Sequence, residues 1–282
     1  MKITRRGFLA ASSAALTLPG LRAQSDVLHY VRYIQGKVTY YGELEGDVIY
    51  PLDGSVLGSR KRKGDKVNLA DVQLRYPVKS PKVFAVGLNY GSHIGSRPAP
   101  TRPEIFYKPT TTLQDPFGPI IIPPKSKDLH YEAEFVIIMA KRASRVSEAD
   151  AESYILGYTC GNDVSERNWQ NGTIDNDKDL QWWRGKGSDT FGPMGPSIAV
   201  GLDYNAQEIE LRLNGEVKQH QKISDLIFGP AAIISFISQH VTLEPGDAIF
   251  TGTPGSTSAM KAGDKVEVEI SGIGILENTV QA

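Results

Sequence analysis

Apolar residues alternate with polar ones, or gather in short unbroken runs, along most of this chain, and two stretches keep helical spacing. From Val27 to Leu52, VLHYVRYIQGKVTYYGELEGDVIYPL gives β-rich runs broken by Gly36 and by Glu45-Gly46-Asp47. That pattern predicts a small antiparallel meander. The charged, turn-rich segment GSRKRKGDKVNLADVQLRYP follows, and it places a domain boundary near residues 75–80. Lys82 to Leu88 is again strand-like and delivers Asn89-Tyr90-Gly91-Ser92-His93 at its end, a position suited to a site. Ser147-Glu148-Ala149-Asp150 has the spacing of a capping box with Asp in place of Glu, which predicts a helix to about Leu156. Thr159 to Val164 reads as a strand. A second helix is expected from about Pro230 to His240, with Ile233, Ile234 and Ile237 on one face. The last third otherwise alternates strands with turns, so the expected class is α+β with strands dominant.

One strand breaks the pattern. LHYEAEFVIIMAK, Leu129 to Lys141, reads as a strand entering the interior, yet it holds Glu132 and Glu134. Side chains alternate with period two, so both carboxylates share a face, where they repel and lose hydration. A wetter face or neutralising arginines would be one resolution. The run Phe135-Val136-Ile137-Ile138-Met139 argues against exposure on either face. A divalent cation resolves the repulsion directly, because hard oxygen ligands suit magnesium, manganese or calcium. Asp163, at the end of the next predicted strand, is the candidate third carboxylate.

Composition narrows the function classes. With 282 residues, 40% hydrophobic and 22% charged, the chain can bury a sizeable core. Its start, MKITRRGFLAASSAALTLPGLRAQ, has a basic head, an apolar small-residue middle and a processing site near Ala23. Residues 1–23 are therefore expected to be a signal peptide, of the twin-arginine type through Arg5 and Arg6. Twin-arginine export machinery and a periplasmic or secreted location follow as expectations. Losing Lys2, Arg5, Arg6 and Arg22 takes the formal charge from −1 to −5. A chain of net acidic charge is a poor partner for nucleic acid, and no later run is long and apolar enough to span a bilayer. Cys160 is the only cysteine, so no intrachain disulfide forms.

Several motifs fail. Asp175, Asp177 and Asp179 alternate as in an EF-hand loop, but Leu180 and Lys186 stand where glycine and glutamate are needed. Walker A, GxGxxG, GxSxG and HExxH are all missing.

What does match is a series of blocks in one order. They include Glu132-Ala133-Glu134, Gly157-Tyr158-Thr159, Asn162-Asp163-Val164-Ser165 with Arg167 and Gln170, and Arg184-Gly185-Lys186 with Asp189-Thr190-Phe191. Gly192-Pro193-Met194-Gly195-Pro196, Leu213-Asn214-Gly215-Glu216, Thr251-Gly252-Thr253-Pro254 and Gly272-Ile273-Gly274 continue it. Over roughly residues 80–282 these blocks resemble the fumarylacetoacetate hydrolase superfamily. The resemblance implies a mixed β-roll catalytic domain over residues 79–282, behind a small N-terminal β domain over 24–78. It also implies a homodimer, and Mg2+, Mn2+ or Ca2+ held by Glu132, Glu134 and Asp163. Lys186 aligns with the family lysine, Asn89-Tyr90 and His93 match the stretch carrying the catalytic histidine, and Arg167, Gln170 and Thr253 fall in blocks that line the pocket.

Two positions depart from the family. Many relatives carry glutamate three residues after the histidine, where this chain has Ser96, with Glu104 as a substitute acid; and His130 stands where Asp is common. The leading expectation is a metal-dependent hydrolase that cleaves a C–C bond in a small 2-oxo or β-diketo acid, with His93 activating water. An oxaloacetate-type decarboxylase or keto–enol isomerase is the alternative, since neither needs activated water. A non-catalytic periplasmic protein that binds oxo-acids or metal is the third.

Overall fold

Turns at Gly36-Lys37 and Gly46-Asp47 close the two expected hairpins, joining strands Leu28–Gln35, Val38–Glu45 and Val48–Pro51. A computed structural model describes residues 27–282. The expected signal peptide, with Arg5, Arg6 and its processing site, lies outside them.

The meander does not stand alone as a sheet. Leu28–Gln35 pairs antiparallel with Gly192–Val200, His29 opposite Ala199, so the first strands extend a sheet of 12 strands. The order then runs through Ile155–Asn162, Ala133–Met139, Ala248–Phe250, Val83–Gly87 and Glu104–Lys108. Ala248–Phe250 and Val83–Gly87 run parallel, which makes the sheet mixed. A second sheet of five strands is ordered Glu216–Lys222, Glu208–Leu213, Lys265–Ile270, Gly274–Gln281 and Pro119–Ile121. The fold is α+β and strand-dominated.

Ala133–Met139 lies inside the large sheet and is covered on both faces. Phe135 and Ile137 pack in one cluster with Leu211 and Val268 of the second sheet and Ile234 of the helix Pro230–His240. Val136 and Ile138 pack on the other side with Met194, Val56 and Val78. An apolar run without alternation is what such double burial demands. Each of these side chains contributes about 1.5–3 kcal/mol when fully buried. The strand is therefore a stiff wall for whatever its ends carry.

Pro230–His240 spans the expected residues, with Ile233, Ile234 and Ile237 buried. The helix begun at Ser147 is shorter than expected. Ser147 Oγ accepts the Asp150 N–H at 3.3 Å, but the α-helix ends at Ala151 and a 3-10 turn, Glu152–Tyr154, follows. Ile155 already enters the sheet, so the strand expected at Thr159–Val164 runs from Ile155 to Asn162. Central pairing on both sides, against Ala133–Met139 and Gly192–Val200, outweighs the local helix signal.

Candidate active site and metal centre

The continuous strand expected from Leu129 to Lys141 is two pieces. Leu129–His130 pairs with Ser165–Glu166, while Ala133 sits opposite Asn162. Between these ladders Glu132 and Asp163 turn to local partners. The Glu132 N–H donates to Asn162 Oδ1 and the Asp163 N–H to the Glu132 carbonyl, each at 2.9 Å. The break brings together Glu132, Glu134 and Asp163, whose carboxylate oxygens approach within 4.8 Å of one another, all three buried.

Cations meet two of the three. Lys186, only 3% exposed, donates from Nζ to Glu132 Oε2 at 2.6 Å and to Asp163 Oδ2 at 2.7 Å. Arg167 Nη2 donates to Glu132 Oε1 at 2.5 Å. Lys108, also buried, donates to Asp163 Oδ1 at 2.5 Å and to the Lys186 carbonyl. Burial would raise the Glu132 carboxyl, yet the charges of Lys186 and Arg167 hold it well below the usual carboxylate range. Burial opposes the Lys186 ammonium, but Asp163 and Glu132 keep it above its ordinary value. Lys108 moves the other way, pushed down by burial against the pull of Asp163.

Glu134 has no such partner. Its Oε2 accepts the Gly252 N–H at 2.6 Å, and no ion pair reaches it among the described residues. Burial, then the charges of Asp163 and Glu132, push its carboxyl well above the ordinary 4.5. Three converging hard oxygen donors, one of them without a counter-charge, fit a divalent cation of the magnesium, manganese or calcium type. The basic groups on Glu132 and Asp163 supply the neutralisation that the sequence left as the other resolution.

A cavity of about 40 Å3 opens onto this cluster. Its lining contains His93, Glu132, Glu134, Asp163, Arg167, Gln170, Lys186 and Thr253, so all eight candidate residues converge. His93 rides on the short helix Gly91–Ile94. Its Nδ1 lies 2.7 Å from the Gly255 carbonyl, which can only accept, so Nδ1 carries the proton and Nε2 is left free. Gln219 of the second sheet donates to Thr253 Oγ1 at 2.9 Å and accepts the Ala133 N–H at 3.0 Å, tying the 251–255 loop to the glutamate strand. Gly252 takes φ +105°, and a Cβ there would meet Asn89 Cβ at 2.8 Å. Gly252→Ala is therefore expected to cost about 1–3 kcal/mol and to weaken turnover by shifting Thr253 and Gly255. Chemical denaturation and steady-state kinetics on one preparation read both.

Other candidates fall elsewhere. Glu104 pairs with Arg102 at the surface, and no hydrogen bond joins it to His93. Asp175 meets Lys127 and Asn168, while Asp177 and Asp179 meet Arg184, which accounts for the false EF-hand spacing. Lys108 was not singled out from the sequence. The signal was slight: Phe106 and Lys108 alternate onto one face of Glu104–Lys108, and Phe106 also lines the cavity. Trp182, edge-on to Phe106, completes that wall.

The description Fumarylacetoacetate (FAA) hydrolase C-terminal matches residues 82–281, and the description Rv2993c-like, N-terminal matches residues 28–77. A protein of Archaeoglobus fulgidus is 41% identical over 250 residues, 88% of this chain and 94% of its own. The mitochondrial oxaloacetate tautomerase FAHD2A of Bos taurus is 37% identical, over 75% of this chain and 70% of its own. The crystal structure of 5-carboxymethyl-2-hydroxymuconate delta-isomerase from Mycobacterium smegmatis superposes with a TM-score of 0.83 at 36% identity, covering 90% of this chain and 99% of that one.

Proposed function

The chain belongs to the fumarylacetoacetate hydrolase family, and we propose that it is a divalent-metal-dependent isomerase interconverting keto and enol forms of a small 2-oxo acid. The observation that carries this choice over hydrolysis is the setting of His93. Its ring is oriented by a backbone carbonyl, and Ser96 stands where a carboxylate partner would strengthen it for attack by water. Moving a proton between carbon and oxygen asks only for one positioned base and no activated water. The names of the tautomerase and delta-isomerase relatives support the same class.

In this reading Glu132, Glu134 and Asp163 would hold the cation, which would supply Lewis-acid polarisation of the 2-oxo group. Arg167, Gln170 and Thr253 bind the carboxylate oxygens of the substrate. His93 Nε2 takes a proton from the carbon beside the 2-oxo group. The Lys186 ammonium stabilises the charge that collects on the oxygen, and return of the proton from His93 to that oxygen yields the enol. The walls formed by Phe106 and Trp182 limit access of water.

Metal-loaded protein incubated with oxaloacetate should speed the keto–enol change seen by ultraviolet absorbance. His93→Ala should slow it by about 100- to 10,000-fold with metal content unchanged. Pyruvate or other cleavage products in place of tautomerisation would overturn the isomerase reading for a hydrolase or decarboxylase. Binding without any turnover would leave an oxo-acid binding protein. We further propose twin-arginine export to the periplasm and a homodimer, supported by the sequence of residues 4–9 and by family resemblance. N-terminal sequencing of the exported protein and sedimentation read these two.

A further inference from the structure

Arg167 is held at both ends by one short segment. Its backbone N–H donates to the Asp128 carbonyl at 2.8 Å, and its N-terminal neighbour Glu166 pairs with Leu129. The guanidinium is reached by a second route. Arg167 Nη2 donates to Thr257 Oγ1, Thr257 Oγ1 meets His130 Nδ1, and His130 Nε2 meets Asp128 Oδ1, each at 2.9 Å. Nη1 donates to Gln170 Oε1 at 2.5 Å.

For a neutral His130 imidazole facing a carboxylate, the proton directions in this chain are determined. Arg167 can only donate, so Thr257 Oγ1 accepts from it. The Thr257 hydroxyl then has its own proton to give, and His130 Nδ1 takes it. His130 Nε2–H in turn donates to Asp128. We propose that Asp128, His130 and Thr257 are positioning residues, a relay that aims the Arg167 guanidinium at a carboxylate of the bound oxo-acid. The guanidinium makes three of its five possible donations to protein, leaving two N–H groups without an acceptor among the described residues.

The device depends on the histidine at position 130. An ionised aspartate there has no proton to give Asp128, so it would set two carboxylates against each other instead of joining them. Histidine offers an acceptor on one side and a donor on the other, which is what the gap between Thr257 and Asp128 needs. The aim is sharpened because Glu132 and Gln170 hold two further edges of the guanidinium.

The inference rests on the reading that Arg167 binds a substrate carboxylate, and two assays keep the questions apart. The first is oxaloacetate turnover by metal-loaded full-length protein. The second is calorimetric binding of oxalate, a planar dianion that needs no turnover. Thr257→Val should raise both KM and the oxalate Kd about 10-fold, equivalent to about 1.4 kcal/mol, with kcat within about twofold. Thr257→Ser, which keeps the hydroxyl, should stay within about twofold of wild type in every parameter. His130→Ala should match Thr257→Val, and the double variant should be no worse than either single one, because each breaks the same chain. Unchanged oxalate affinity in both folded single variants, or purely additive losses, would overturn the relay. So would wild-type protein that fails to bind oxalate. Wild-type protein that binds oxalate but does not tautomerise oxaloacetate would overturn the isomerase reading alone, and the calorimetric comparison would still judge the relay.

Discussion

Glu134→Gln is expected to weaken metal binding and turnover at least about 100-fold while making the metal-free protein more stable at neutral and alkaline pH. Glu134 is buried, makes no ion pair among the described residues and sits beside Glu132 and Asp163, so ionising it is costly. Its carboxyl is pushed above the ordinary 4.5 by burial first and by those two charges next. A group with a raised native pKa binds protons more tightly when folded, so its contribution falls as pH rises from about 4.5 toward the native value. Above that value the penalty is complete. Glutamine removes the charge and its Oε1 can still accept the Gly252 N–H. The metal-free variant should therefore exceed wild type by roughly 1–3 kcal/mol at pH 8, and the gap should shrink as pH falls toward 5.

Adding Mn2+ should reverse the order. Wild type gains stability by binding the ion in the folded state alone, whereas the variant has lost one of three ligands and should bind at least about 100-fold more weakly. Thermal melts of both proteins, with and without Mn2+ at pH 5 and pH 8, give the four comparisons. A variant that is less stable than wild type in metal-free buffer at pH 8 would refute the charge argument. A variant that keeps wild-type metal affinity would refute the ligand set.

How far the sequence reached can be judged at this same cluster. Alternation put Glu132 and Glu134 on one side, and they do converge, although Glu132 lies before the strand rather than inside it. Asp163 was legible as a polar residue after a strand, and the apolar run behind Glu134 does mark a wall buried on both faces. The interruption at Glu132 was not legible, because it depends on Asn162 supplying a side-chain acceptor from another strand. Lys108 was hidden for a similar reason. Its partners Asp163 and Lys186 are 55 and 78 residues away, and nothing local in EIFYKP requires a buried ammonium. Thr257 and His130 meet only because the loop after Ala248–Phe250 folds back across Leu129–His130. Local pattern carried the meander and the helix Pro230–His240, while tertiary pairing overrode it after Ala151.

The two buried lysines should part company when each is replaced by methionine. Lys186 lines the cavity and touches two carboxylates, whereas Lys108 is absent from that lining and reaches Asp163 from behind. Lys186→Met should lower kcat by about 100- to 1,000-fold, the effect of losing one group that stabilises developing oxyanion charge. Its metal affinity should hold or rise, since Glu132 and Asp163 lose a competing cation. Lys108→Met should act chiefly on stability. It strips Asp163 of one buried partner and leaves the Lys186 carbonyl without that donor, at a cost of roughly 3–5 kcal/mol in the metal-free protein. Added Mn2+ should recover much of this loss, because the cation takes over the neutralisation of Asp163. Burst-free kinetics on metal-saturated protein, with denaturant melts of the same samples, separate the two effects. Equal losses of kcat in both variants would mean that the two ammonium groups act as one unit, and would remove the case for Lys186 as the group that meets the substrate oxygen.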